Sequence, residues 1–345
     1  MDTEYIKERF LSFAETECKG NSNLYYILSF QIADDAELLN IALNTRQGQP
    51  IPNIFFAAIH YLLLKNQDNE LAKYYPSIQK YFVTEIPFDI FKSFCLTNKN
   101  EIIKIISTRI VQTNVITRCS YLMPIFSKLI KEESKSTTII DIGTSAGLTL
   151  NFDKYQYWYN DEKVYGQSDV IVKSKIVDSE VPTIFDISYP LTKIGIDQNL
   201  IDTPDKDEIM WLKALVWTDQ IERFIAIDEA LKLDELKIIK FIQAETVSDF
   251  EKVILKTDKT QNLIIYATHV LYQFTQNQKD EFYSMLERVG QIRDFYFLSV
   301  ESIKSLLEKY HSKETVIELT SYKHKRKTLT FIAETNGHGN WIRWK

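Results

Sequence analysis

The residue types most suited to binding chemistry crowd into one stretch of this chain, Thr137–Leu150, TTIIDIGTSAGLTL. The β-branched run Thr137-Thr138-Ile139-Ile140 predicts a strand, and Asp141 puts a carboxylate near its end. Gly143-Thr144-Ser145-Ala146-Gly147 predicts a turn, and the apolar residues beyond it predict the start of a helix. Glycines in such a turn let backbone approach a ligand where a Cβ would clash. A helix start would aim free N–H groups at whatever binds there.

A strand and a turn act as a site only within a sheet that holds them. Further strand-like runs occur at 193–196, 238–243, 262–267, 295–299, 314–319 and 328–334, and helical patterns at 207–232, 247–256, 278–289 and 303–310 separate most of them. Strands alternating with helices predict an α/β fold with a parallel sheet. The last two strands are joined by a short polar turn and predict an antiparallel hairpin. The sheet then has seven strands, five of them parallel. Residues 151–190 break the alternation and read as an inserted hairpin or small sheet. Before the polar segment Lys131–Ser136, apolar residues recur at helical spacing and prolines divide the chain into short helices, with Pro124 inside the last. The expected organisation is a helical bundle or cap over 1–132 and an α/β domain over 137–345.

In open α/β sheets, ligands bind beyond the carboxyl ends of the strands. The polar residues there are Asp141, Gly143, Ser145 and Gly147 after the first strand and Asp197 after the second. Glu245 and Thr246 follow the third, Thr268, His269 and Tyr272 the fourth, and Glu301 the fifth. A carboxylate after the second strand can accept two hydrogen bonds from a diol, and one after the third can accept from an amino group. His269 is the candidate general base, because an imidazole takes a proton near neutral pH; a structural histidine is the alternative. Gln112, Thr113 and Asn114 lie between helical runs, either as a helix N-cap or as pocket lining. Trp217, Asp219, Gln220 and Arg223 share helical spacing. They form either a surface pair of Asp219 with Arg223 or a substrate-facing patch. His60, on an apolar helical run, is expected in the core or at an interface, and no His/Asp/Glu cluster has metal-ligand spacing.

Asp141-Ile142-Gly143-Thr144-Ser145-Ala146-Gly147, with acids at Asp197 and Glu245, resembles the first three motifs of the seven-strand, Rossmann-like fold of S-adenosylmethionine-dependent methyltransferases. The resemblance implies S-adenosylmethionine as cofactor, with Asp141, Gly143 and Gly147 at its methionine end, Asp197 at the ribose and Glu245 at the adenine. Ser145, in the same turn, and Thr246 and Thr268, at the strand ends, are further candidates for cofactor binding. His269 and Tyr272 are the candidates for catalysis. A small-molecule or protein acceptor would meet Gln112, Asn114, Trp217, Gln220, Arg223 and Glu301. Ser145 stands where the family has its middle glycine, and Asp197 follows the first motif at a longer interval than usual. The fourth strand lacks the Asp/Asn-Pro-Pro-aromatic signature of N-methylating members. A closer resemblance covers nearly the whole chain. It runs through Pro52–Leu63, Val111–Asn114, Gly143–Leu148, Asp153-Lys154-Tyr155, Gly195-Ile196-Asp197 and Val216–Gln220 with Arg223. On these segments the chain is similar to a bacterial family of uncharacterised proteins, a domain of unknown function with a methyltransferase-like C-terminal half.

Two other readings stand beside this one. Gly143–Gly147 is a literal G-x-S-x-G, the elbow of α/β-hydrolases with Ser145 as nucleophile. That elbow needs strands before it, where residues 1–132 read as helical. The other reading keeps the fold and cofactor as a non-catalytic binding or regulatory protein. At 345 residues the chain is long enough for two cores. Its net charge of −6 argues against a nucleic-acid partner, and the basic cluster Lys323–Lys327 reads as a hairpin tip. Cys18, Cys95 and Cys119 are too scattered for a disulfide framework. The longest apolar run, Ile54–Leu64, is too short for a bilayer, and the N-terminus has no apolar signal core. A cytoplasmic protein without membrane contact is expected.

Overall fold

The structure, a computed structural model, describes residues 2–80, 83, 86–112, 114–301 and 314–345. The helical run expected at 303–310 lies outside the described residues, as do Thr113 and His311. In chain order the described helices are α1 (Thr3–Phe13), α2 (Asn23–Ala33), α3 (Ala36–Ala42), α4 (Ile51–Lys65), α5 (Phe88–Thr97), α6 (Lys99–Thr108), α7 (Cys119–Glu133), α8 (Lys206–Ala214), α9 (Ile221–Ala230), α10 (Val247–Leu255) and α11 (Gln276–Ile292). The strands are β1 (Thr137–Ile142), β2 (Gln156–Tyr159), β3 (Glu162–Tyr165), β4 (Ile171–Ile176), β5 (Leu191–Asp197), β6 (Lys240–Gln243), β7 (Asn262–Thr268), β8 (Phe295–Glu301), β9 (Thr315–Lys323), β10 (Arg326–Thr335) and β11 (Trp341–Trp344). Two compact units result: Met1–Thr113 with Asp202–Asp228, and Asn114–Ile201 with Glu229–Lys345.

The first unit is helical. α4 starts with Pro52 in its first turn, where a missing N–H costs nothing, and buries most of its length. Around it pack Phe10 and Phe13 of α1, Tyr25 of α2 and Phe91 of α5. Tyr25 stacks on Phe56 at 4.2 Å between ring centroids. The expected single helical pattern over 207–232 is two helices, with Trp217–Gln220 in the connection between them. This segment belongs to the helical unit rather than to the sheet, because Trp211, Ala214 and Leu215 are part of the same core as α1–α6.

The second unit is a mixed α/β structure. Its sheet has eleven strands rather than seven among the described residues, in the order β3-β2-β4-β11-β10-β9-β8-β7-β1-β5-β6. β1 runs parallel to β5 on one side and β7 on the other, with β6 and β8 parallel beyond them. All six residues of β1 are buried, as its unbroken β-branched run requires of a central parallel strand. β9 and β10 form the expected hairpin, turning through His324 and Lys325, both at positive φ as a two-residue turn demands. The insertion supplies three of the four additional strands. β2 and β3 form a hairpin through Asn160 and Asp161, also at positive φ. β4 joins it in parallel and carries it onto β11.

α7, which the sequence groups with the N-terminal helices, counts with the sheet. Its Phe126 ring lies 5.1 Å from Phe152 and 5.2 Å from Tyr266. The helix continues through Pro124. Proline removes the N–H that would bond the Ser120 carbonyl, and the Tyr159 hydroxyl donates to that oxygen instead. α11 opens on a capping box of Thr275 and Gln278 and buries Phe282, Met285, Leu286 and Val289. Those four share one helix face, at about 1.5–3 kcal/mol for each large side chain.

Candidate functional site

The glycine turn leaves β1 through Gly143, whose N–H bonds the Ile196 carbonyl at the end of β5. Gly143, Ser145 and Gly147 all have positive φ, at 82°, 54° and 74°. A Cβ on Gly143 would lie 2.3 Å from Val270, and one on Gly147 would lie 2.6 Å from Phe241. Both glycines are therefore required by close packing as well as by backbone conformation. The expected helix after the turn is absent: Leu148–Lys154 is a 3₁₀ stretch interrupted at Asn151. Thr149 and Asn151 are weak helix formers. The Tyr155 and Tyr157 hydroxyls donate to the carbonyls of Leu148 and Phe152, competing for acceptors that an α-helix would use. The turn therefore does not lead into an α-helix N-terminus.

Two carboxylates brace it. Asp197 accepts from the Ser145 N–H at 2.8 Å through Oδ2 and from the Asn199 N–H at 2.9 Å through Oδ1. Asp141 is buried and accepts from Thr149 Oγ1 at 2.8 Å, which in turn takes a hydrogen bond from the Tyr266 hydroxyl at 3.2 Å. Burial pushes the Asp141 carboxyl up to about 7, against the lowering effect of these hydrogen bonds.

The ends of β7 and β8 meet the same turn through Val270. Glu301 Oε1 accepts from the Val270 and Leu271 N–H groups, each at 2.8 Å, while its Oε2 is buried without a partner. Burial raises the Glu301 carboxyl above the usual range. Thr268 is buried, and Arg118 donates through Nη1 to its carbonyl at 3.2 Å and its hydroxyl at 3.3 Å. His269 has φ of 55°. Burial, then Arg118 and His338, pulls its imidazole down to about 3, so the ring is neutral at physiological pH, and Nε2 is buried without a partner.

The structure thus brings Asp141, Gly143, Ser145, Gly147, Asp197, Thr268, His269 and Glu301 to one end of the sheet. Glu245 is exposed there, with its backbone carbonyl bonded to Gln198. Thr246 is the N-cap of α10, accepting from the Asp249 N–H, and Tyr272 is 56% exposed. Asn114 belongs to the same unit, buried with Nδ2 unpartnered. Gln112, Trp217, Gln220 and Arg223 belong to the helical unit. There Trp217 packs edge-on against Phe13, and Arg223 donates to Gln220 rather than sharing a helix face with Asp219. Arg118, Thr149 and Tyr266 escape sequence reasoning, because their partners are fixed only by tertiary contact. A groove of about 800 Å³ lies elsewhere, beside β3, with Asp153, Lys163 and Asp186 among its lining; no candidate residue named above lines it.

Ser145 Oγ is buried and has no hydrogen-bond partner, so no base engages it as a hydrolase elbow requires. Among the described residues, no helix is long and apolar enough to cross a membrane. The three cysteines are buried and free. No curated protein matches the chain. A family model matches residues 7–344, and the chain therefore belongs to the family described as Uncharacterized protein conserved in bacteria (DUF2332).

Proposed function

We propose that the sheet unit binds S-adenosylmethionine at the ends of β1, β5 and β7 and transfers its methyl group to a small-molecule or protein acceptor. The observation that carries this reading is the place of the Gly143–Gly147 turn. It leaves β1 where strand order reverses, with β5 and β6 to one side and β7 and β8 to the other. Such a switch point is where open α/β sheets take their ligands.

The residues present fit that cofactor. Ser145 Oγ, His269 Nε2 and Glu301 Oε2 are buried without partners, and each such group costs about 1–3 kcal/mol unless something pairs with it. Asp197 accepts from the Ser145 and Asn199 N–H groups, which holds its carboxylate at the end of β5 beside the glycine turn, where the resemblance puts the ribose. The cofactor would supply the activated methyl carbon, and the protein's part is to align a nucleophile with it. His269 is unprotonated at physiological pH and would be the histidine that takes a proton from an acceptor, as a weaker base than an exposed imidazole because burial and Arg118 disfavour its charged form.

Thermal unfolding with S-adenosylmethionine and with S-adenosylhomocysteine tests the reading. A ligand at about 100 times its dissociation constant adds about 2.7 kcal/mol, a shift of a few degrees. Asp197→Ala should weaken binding by about 1–3 kcal/mol, the cost of a lost charged hydrogen bond, and shrink the shift accordingly. No shift with either ligand would sink the proposal.

A further inference from the structure

A second constellation lies wholly within the helical unit. His60 of α4 is completely buried. Its Nδ1 is 3.1 Å from the Ala214 carbonyl oxygen, and its Nε2 is 2.7 Å from Ser77 Oγ. A carbonyl oxygen only accepts, so Nδ1 carries the proton and Nε2 is the acceptor. The Ser77 hydroxyl therefore donates to His60. Ser77 Oγ is also 2.8 Å from Thr218 Oγ1, and with its own proton committed to His60 it accepts from that hydroxyl. The Ser77 N–H reaches the same Thr218 oxygen at 3.4 Å, which fixes Ser77 from two directions. Burial holds the His60 imidazole down at about 4, with Lys213 adding to the effect, so the ring is unprotonated at neutral pH. Ser77 itself is partly exposed. Nucleophile, base and orienting acceptor thus stand in hydrogen-bond sequence, the arrangement that activates a serine.

We propose that Ser77 is an acyl-accepting nucleophile, with His60 as its general base and the Ala214 carbonyl orienting the ring, and that the site hydrolyses small esters. Ser77 Oγ bonds to the ester carbonyl carbon as its proton passes to His60 Nε2. The carbon–alkoxy bond breaks, and the alcohol leaves with that proton. A water molecule then gives a proton to Nε2 and attacks the acyl carbon, and the proton returns to Ser77 as the acid departs. The net change is one ester and one water to one acid and one alcohol. The rings of Tyr75 and Phe224 lie 5.7 and 5.9 Å from the His60 ring, so an apolar acyl group suits the surroundings.

The full-length protein should be treated with a fluorophosphonate probe, and separately with p-nitrophenyl acetate, and the adduct located by peptide mass spectrometry. The expected adduct is on Ser77. Ser77→Ala should lose both the adduct and p-nitrophenol release while keeping the native melting transition. His60→Gln should slow labelling by about 10²-fold or more, the usual contribution of a general base. Native protein that gives no adduct on Ser77, whether unlabelled or labelled only at Ser145, would overturn the assignment. The probe and residues are distinct from those of the methyl-transfer reading, so either can fail alone.

Discussion

Asp141 lies buried beneath the glycine turn with its carboxyl raised to about 7 from an ordinary 3.8. A raised folded value means that the folded protein holds a proton that the unfolded chain releases. This contribution is full below about pH 4 and is lost as the pH rises towards about 7. Asp141→Asn removes the titration. From about pH 5 to about pH 8 the native protein should therefore lose stability relative to the variant, as read from urea midpoints at matched pH. Parallel curves for the two proteins would refute the assignment. At this scale the sequence located the strand-end acids but not their partners. Asp197 reads as a ligand-facing acid, and its hydrogen bond from the Ser145 N–H depends on a turn 52 residues away, while that from the Asn199 N–H is local. Ser145 adopts a positive φ, a region that glycine enters at less cost than a serine does.

Among the elements, Gly147 makes the sharpest case. It sits at φ 74°, and a Cβ there would meet the Phe241 ring. A non-glycine residue in that region costs about 1–2 kcal/mol before any clash. Gly147→Ala should thus lower unfolding free energy by at least about 1 kcal/mol, measured by denaturant titration; an unchanged midpoint would mean that the turn relaxes freely. All seven anticipated strands are present: a central parallel strand such as β1 or β7 is buried along its whole length, and the β9–β10 hairpin is marked by its short polar turn. The run after Gly147 misled for a related reason. Leu148, Leu150 and Phe152 are apolar and buried, but the hydroxyls of Tyr155 and Tyr157 take carbonyls from a helix that would otherwise compete. β11 went unread, being four residues long and paired to a strand of the insertion.

At the scale of the whole molecule, among the described residues each unit carries one histidine held neutral by burial: His60 at about 4 and His269 at about 3, both below the ordinary 6.5. With folded values below the unfolded one, the unfolded chain binds more protons, and the stability they confer is lost as pH falls from about 6.5. Two such groups outweigh the opposite trend of Asp141, so stability should decline between about pH 6.5 and about pH 4. Circular dichroism melts across that range test this: a flat profile would show that only one ring stays neutral against the Asp141 trend, and a rise towards low pH would show that neither does. The division into units was the least legible feature in the sequence. The polar segment Lys131–Ser136 looks like a linker, whereas α7 on one side of it packs with the sheet, and the helical unit takes back residues far beyond it.

That discontinuity governs how the protein must be made. Trp211, Ala214 and Leu215 close the helical core, and the Ala214 carbonyl completes the bond to His60. As the nascent chain leaves the ribosome, β1 through β5 emerge before those residues do. The first helices therefore wait, with apolar faces open, while the start of the sheet is already available. A gene cut at the apparent linker would encode a fragment missing the wedge that closes its own interior, and chaperone binding should fall on the helices ahead of α8 during synthesis.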